Sequence, residues 1–340
     1  MPYIVAIDQG GTKTDVLVAD DKGKIISFSD DRDQPPVEGE RRAKRMMSIR
    51  YAVSKALAEA GLGFDDISSV SASCIGADWP FEYEIGIRNL RDTLGVQDVC
   101  LYNDCIGALR GGTEMKNRDC AILCLGTGAN CAVQNRDGDW YVYAYYMKGE
   151  HQGASALGSA VFQAVYDAEA GFGPKTLLTD LLLENTGDSS VDELLMRITT
   201  GRTETEEKWQ PSYKDYGPML FQAVRRGDKT AYALLDDFCK ELVKYIVAGA
   251  KRLSLDKEGF PVVLSGGVPK GGAIMGEMLE KHLLAHFPKA VCIEARFEPV
   301  VGALLLAYDR LYRDGIPEEV QDNLEKHCAE KKLFRQVEVR

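Results

Sequence analysis

Tyr3-Ile4-Val5-Ala6-Ile7-Asp8-Gln9-Gly10-Gly11-Thr12-Lys13-Thr14-Asp15-Val16-Leu17-Val18-Ala19-Asp20 is the stretch whose reading decides the fold. Ile4 to Ile7 is apolar, Gln9-Gly10-Gly11 is a turn, and Asp15 to Ala19 resumes as a second strand. Asp20-Asp21-Lys22-Gly23 turns the chain again before Lys24 to Phe28, so the segment is expected to be a three-stranded meander. The turn also suits an anion. Paired glycines let backbone amides approach phosphate oxygens without a Cβ in the way, and Thr12 and Thr14 add hydroxyl donors. Asp8, at the strand end, is placed to face Mg²⁺ directly or through water, and Lys13 offers a point charge to a phosphate.

Working outward, Arg41 to Gly61 has helical apolar spacing and ends at glycine, while Ser69 to Cys74 and Val99 to Tyr102 read as short buried strands. The first lobe is therefore a βββαβαβ-type unit. A second meander follows: Cys120 to Leu125, the turn Gly126-Thr127-Gly128, Cys131 to Gln134, then Asn135-Arg136-Asp137-Gly138 before Trp140 to Tyr145. This predicts an internal duplication, with two unrelated hairpins as the alternative. Helical spacing recurs over Ala154 to Asp167 and Met219 to Leu253, and residues 170–215 read as an inserted irregular or helical segment. Pro261 to Leu264 then reads as a buried strand running into Ser265-Gly266-Gly267, with an apolar helix over Ala273 to Leu284. Strand, glycine pair, helix is an anion- or nucleotide-binding arrangement.

At 340 residues the chain exceeds what one core usually organises, so two lobes are expected. The boundary falls near residue 113: 1–113 would carry the first phosphate turn and the acceptor side, and 114–340 the second turn and the adenosine site, the final helix being free to pack on lobe one. A formal net charge of −11, from 41 basic and 52 acidic residues, argues against a nucleic-acid partner. It does not argue against an anionic nucleotide, because backbone N–H groups and a metal supply local positive potential. Nine cysteines, none in a CxxC pair, read as thiols of a reducing compartment. With no membrane-length apolar run and no cleavable leader pattern, the expectation is a cytoplasmic protein that does not engage a membrane.

Between the two glycine turns, Leu101-Tyr102-Asn103-Asp104 is a strand ending in a carboxylate. Asp104 there could take the proton of an acceptor hydroxyl while Mg²⁺ and amides carry the charge of the transferring phosphoryl group, or it could cap the helix beginning at Cys105, or both. GxxxxGK[ST] is absent, and Cys131 stands where GxGxxG would need its third glycine. Trp140 and Trp209 are expected in the core, whereas Trp79 borders the loop Ser73 to Asp78.

The order of these pieces resembles the sugar-kinase/Hsp70/actin superfamily, and within it the N-acetylglucosamine kinase and BadF/BadG/BcrA/BcrD-type ATPase group. The resemblance is carried by DQGGTKT (Asp8 to Thr14), NDCIGAL (Asn103 to Leu109), LGTGANC (Leu125 to Cys131), LSGGV (Leu264 to Val268) and PVVGALLLA (Pro299 to Ala307). It implies an α/β protein with the two-lobed, ribonuclease H-like, actin-like ATPase fold, duplicated domains and a nucleotide cleft between them. It implies ATP and Mg²⁺ as cofactors, and Gly10, Gly11, Thr12, Lys13, Thr14, Gly126, Thr127, Gly128, Gly266 and Gly267 as nucleotide contacts. Asp104 would be the base, Asp8 the metal-linked carboxylate, and Gly76, Asp78, Asn103 and Gly153 acceptor contacts. The implied activity is phosphorylation of a small sugar, N-acetylglucosamine or a related amino sugar or hexose, and homodimers are common in this group.

Two departures bear on the acceptor. The group usually carries G-D-E-G-S opening a helix in lobe two, where this chain reads Gln152-Gly153-Ala154-Ser155-Ala156. Its Asn-containing sugar loop is here Asp31-Arg32-Asp33-Gln34-Pro35-Pro36. A rival reading on the same fold is an ATPase that drives a partner protein, although the C-A-A-G-T-G stretch of the iron–sulfur members is missing. A sugar-sensing repressor would need a DNA-binding helix-turn-helix, and none precedes the first strand.

Overall fold

In the computed structural model, residues 2–11, 13–113, 119–200 and 209–335 are described. The chain divides into two compact units, one of residues 1–122, 132–142 and 294–340, the other of residues 123–131 and 143–293.

In the first unit, β1 (Tyr3–Gln9) pairs antiparallel with β2 (Thr14–Asp20), which pairs antiparallel with β3 (Ile25–Asp30). After α1 (Arg41–Ala60), β4 (Ile67–Cys74) lies parallel to β1; after α2 (Pro80–Leu94), β5 (Val99–Asn103) lies parallel to β4. The sheet order is β3-β2-β1-β4-β5, and α3 (Asp104–Gly112) leaves the last strand without a loop. Side chains alternate along β1. Val5 and Ile7 join Ile49, Val53 and Leu57 of α1, whereas Ile4 and Ala6 face the other layer. α1 buries Ile49, Ala52, Val53, Ala56 and Leu57, a one-sided stripe, and stops at Gly61, whose φ of +69° closes a left-handed cap.

The second copy begins with β6 (Cys120–Leu125), β7 (Ala129–Gln134) and β8 (Trp140–Val142). Then come α4 (Gly149–Gln152), α5 (Ala154–Glu169), α6 (Leu177–Thr186), α7 (Val191–Thr200), α8 (Gly217–Arg225) and α9 (Lys229–Leu253). β9 (Pro261–Ser265), α10 (Ala273–Leu284) and β10 (Val291–Glu294) complete it, and α11 (Pro299–Leu311) and α12 (Glu318–Glu330) return to the first unit. The second sheet, read from its far edge, runs β8-β7-β6-β9-β10, the same order as β3-β2-β1-β4-β5. The duplication expected from the two meanders is therefore present.

α11 is apolar on every side and buried from Val300 to Tyr308. It covers the face of the first sheet that carries Ile4 and Ala6. There it crosses α3 at backbone distance. A Cβ on Gly302 would stand 1.8 Å from the Gly107 carbonyl, and one on Gly111 3.0 Å from the Gly302 nitrogen. Only glycine fits at that crossing. One turn further, the side chain of Arg110, 1% exposed, donates to both carboxylate oxygens of Asp309 at 2.7 and 3.0 Å.

Three local expectations are corrected. The helical spacing from Met219 to Leu253 is broken into α8 and α9 by Gly227, at φ +83°, and by Asp228. Asp228 accepts from Ala231 N at 2.8 Å, Leu177 N at 2.7 Å and Thr176 Oγ1 at 3.0 Å, so one carboxylate caps two helices. The strand from Trp140 stops at Val142, because Ala144 turns the backbone to φ +49° and Tyr143 bonds the Tyr245 carbonyl at 2.7 Å. Neither Trp140 nor Trp209 is a core residue. Trp140 is over a third exposed beside Tyr83, and Trp209 lies beneath the Arg197 guanidinium at 4.0 Å.

Candidate functional site

Strand register sets the first cluster. Asp8 and Asp15 are directly opposite across β1 and β2, which brings two carboxylates to one face of the sheet. Asp15 is tied to Lys13 Nζ at 2.5 Å. Burial works against the Lys13 charge, but the Asp15 carboxylate more than offsets it and keeps that ammonium above its usual range. Asp8 is buried, and its carboxylate takes no hydrogen bond or ion pair from a described side chain. Burial pushes Asp8 up to about 8, with the charges of Asp104 and Asp15 adding and Lys13 and Arg335 opposing.

Asp104 is the first residue of α3. Burial raises its carboxyl to about 6, the Asp78 charge adds to the rise, and the Cys105 amide, 3.0 Å from Oδ1, works the other way together with Arg45. Its neighbour Asn103 is the helix cap, accepting from Cys105 N at 2.9 Å. The Asn103 amide donates to Asp78 Oδ1 at 2.7 Å and to the Ala77 carbonyl at 3.3 Å. Asn103 and Asp78, expected as acceptor contacts, are thus bonded to each other beside Asp104.

The sequence reading missed Glu82, whose Oε2 accepts from Asp78 N at 3.0 Å and Trp79 N at 2.9 Å. Its signal was the acidic residue at the third position of the Pro80 helix, a capping-box pattern. It also missed Arg45, whose Nη1 donates to Ile75 O at 3.1 Å.

Thr14 is buried, its amide donating to Asp31 Oδ1 at 2.8 Å and its hydroxyl 3.4 Å from Gln9 Nε2. Gly10 closes the turn through Gly10 N to Lys13 O at 3.0 Å. Thr12 lies outside the described residues. A Cβ on Gly11 would meet nothing within 4 Å, and one on Gly10 only the Lys13 carbonyl at an ordinary 3.9 Å; neither has a positive φ. The fold itself does not require glycine at either position, which is what a close-approaching ligand would require.

The second unit repeats this at Gly126 and Gly128, where a Cβ would likewise meet open space. Around that turn the structure gathers three segments. Ala154 N bonds Gly126 O at 2.8 Å, Val268 N bonds Leu125 O at 3.0 Å, and Gly126 N bonds Gly128 O at 2.9 Å. Gly153 and Gly266 have internal reasons to be glycine: a Cβ would stand 3.0 Å from Thr127 O in the first and 2.2 Å from Leu125 O in the second, where φ is also +100°. Thr127 and Gly128 are exposed at the tip, and Gly267 is exposed with open space around it.

A hard divalent cation such as Mg²⁺ fits the first cluster. It takes oxygen ligands, is commonly held by one or two carboxylates plus substrate phosphates, and would offset both the burial and the neighbouring negative charges that raise Asp8. Among the described residues no set of three or more His, Cys, Asp or Glu could hold a metal unaided.

An N-acetyl-D-glucosamine kinase of Dictyostelium discoideum is 28% identical over 330 residues, covering 89% of this chain and 97% of its own length. A Chromobacterium violaceum protein solved as a candidate N-acetylglucosamine kinase superposes with a TM-score of 0.62 at 20% identity, covering 90% of this chain and 99% of that one. A ROK-family glucokinase of Streptomyces griseus, solved with glucose and AMPPNP, superposes with a TM-score of 0.55 at 19% identity, covering 92% and 100%. These structures share the actin-like ATPase fold of sugar kinases. The sequence profile of the BadF/BadG/BcrA/BcrD ATPase family matches residues 5–307, and the chain is a member of that family.

Proposed function

We propose that the chain is an ATP-dependent kinase that phosphorylates a hydroxyl of a small sugar, N-acetylglucosamine or a related amino sugar or hexose. The observation that carries this reading is the pair of buried carboxylates, Asp8 near the end of β1 and Asp104 just past β5 with β4 between them, raised to different degrees. Groups whose environments push their pKa values apart are suited to different roles. Asp104, near 6, is ionised at neutral pH and accepts the acceptor's proton as the hydroxyl attacks. Asp8 holds Mg²⁺, directly or through water; when bound, the metal neutralises charge on the phosphates.

Gly10, Gly11, Lys13 and Thr14 of the first unit bind the nucleotide, with Thr12 added on its place in the sequence. Gly126, Thr127, Gly128, Gly266 and Gly267 of the second bind it as well. Family membership and the resemblance to a glucokinase crystallised with AMPPNP support ATP as the donor. The 28% identity to an N-acetyl-D-glucosamine kinase supports an amino sugar as the acceptor. The free cysteines support a reducing, cytoplasmic setting.

The test is ADP release with Mg²⁺-ATP, alone and then with N-acetylglucosamine, glucosamine and glucose. Stimulation by one sugar is expected, and Asp104→Asn should lower it about 10²–10⁴-fold, the usual contribution of a general base. In the intact protein kcat/KM should fall about tenfold per pH unit below about pH 6, as Asp104 takes up its proton. Full turnover in Asp104→Asn would remove Asp104 as the base. Hydrolysis indifferent to sugar would favour a partner-driving ATPase.

A further inference from the structure

The start of α1 breaks a local rule. Arg41, Arg42, Lys44 and Arg45 put four positive charges at the end of a helix where the backbone dipole favours negative ones, and its first turn has no acidic residue. The chain as a whole carries a net charge of −11, so this concentration of cations is local.

Two of the four arginine and lysine side chains line a cavity. Arg42 and Arg45 stand with Gln9, Glu82 and Asn89 on the polar side of a pocket of about 70 Å³ on the α1 and α2 side of the first sheet, whose remaining wall is largely apolar. Among the described residues neither arginine forms an ion pair. Arg45 gives one N–H to the Ile75 carbonyl, and the guanidinium has five to give. Glu82, the acid in the wall, is committed to the amides of Asp78 and Trp79. The pocket is continuous with the acceptor loop, since a Cβ on Gly76 would stand 3.1 Å from Arg45 Nη1. The field of Arg45 also reaches Asp104 and Cys74.

We propose that Arg42 and Arg45 form a subsite for an anionic substituent, a carboxylate or a phosphate, carried by the acceptor sugar. The inference rests on the kinase reading and narrows its substrate class. The volume suits it, being about half that of an engineered cavity that admits benzene, about 150 Å³. A group of a few atoms enters, and the sugar ring stays outside along Gly76 to Asp78. Planar guanidinium forks match carboxylate and phosphate geometry, and a bound anion offsets the unfavourable charge at the helix start.

The experiment compares matched pairs by calorimetric binding without nucleotide and by ADP release with it: glucose against glucuronic acid, glucosamine against glucosamine 6-phosphate, and inorganic phosphate alone. At least one anionic sugar should bind about tenfold or more tighter than its neutral partner, and the preferred pair names the substituent. The Arg42→Gln/Arg45→Gln double variant should bring that ratio to about one. Arg42→Gln alone, at an exposed position, should lower it if the double variant does not fold. Equal binding within both pairs, or a preference that survives the variants, overturns the subsite even if neutral sugars are phosphorylated. Binding of inorganic phosphate with no preference among the sugars overturns it too, leaving a free-anion site. An arginine-dependent preference without any sugar-stimulated ADP release leaves the subsite standing and sinks the kinase reading instead.

Discussion

Asp8 holds its proton in the folded protein up to about pH 8, whereas an unfolded chain releases it near 3.9. Between those values the native state binds more protons than the unfolded one, so stability falls as pH rises. Removing the charge should therefore help the metal-free protein. Asp8→Asn is expected to raise the melting midpoint at pH 8 by about 2–4 °C for each kcal/mol recovered, with the gain shrinking toward pH 5. The same variant should lose metal-dependent turnover. Melting curves at the two pH values decide the point: a variant no more stable than the parent at pH 8 would show that the Asp8 carboxylate is not held under strain. Proton and cation compete for this one group, so Mg²⁺ affinity should weaken as pH falls below about 8.

At the scale of elements, the position of Asp104 depends on a helix almost two hundred residues away. α3 begins at Asp104 and rests on α11 through Gly107, Gly111 and Gly302. A methyl group at residue 302 has no room, so Gly302→Ala must part the two helices. That substitution should cost about 1–3 kcal/mol, the usual range for overpacking, and should lower turnover more than a surface change of equal stability cost. A Gly302→Ala protein with unaltered melting and activity would contradict the crossing. The pieces GAL at 107–109 and GAL at 302–304 were visible in the sequence as parts of a resemblance. What could not be read was that they touch, because period and turn chemistry report on neighbours along the chain and not on pairings across it. The same limit explains α8 and α9: apolar spacing ran on through residue 227, and only the position of Thr176 and Leu177 shows why Asp228 is a cap. Strands and glycine turns were legible because their signals are local. Asp15, Glu82 and Arg45 were not, because each acts through residues brought to it by the fold.

In the whole molecule, the five-strand order appears twice, but the first unit borrows its cover from the far end of the chain. Ile4, Ala6, Leu17, Ala19 and Ile25 are buried against α11 and α12. Cutting the chain after residue 293 should therefore leave the first sheet with one bare apolar face, and the fragment is expected to aggregate or to bind a hydrophobic dye, with turnover lost. A soluble, cooperatively melting fragment would show that the first unit is self-sufficient. The arrangement also has a consequence for biosynthesis. The first sheet has all its strands by residue 103, yet its core cannot close until α11 ends at residue 311, roughly 10–40 s later at about 5–20 residues per second. For that interval the nascent chain carries a finished β-sheet with one side unroofed, a natural client for a chaperone that waits at the tunnel exit.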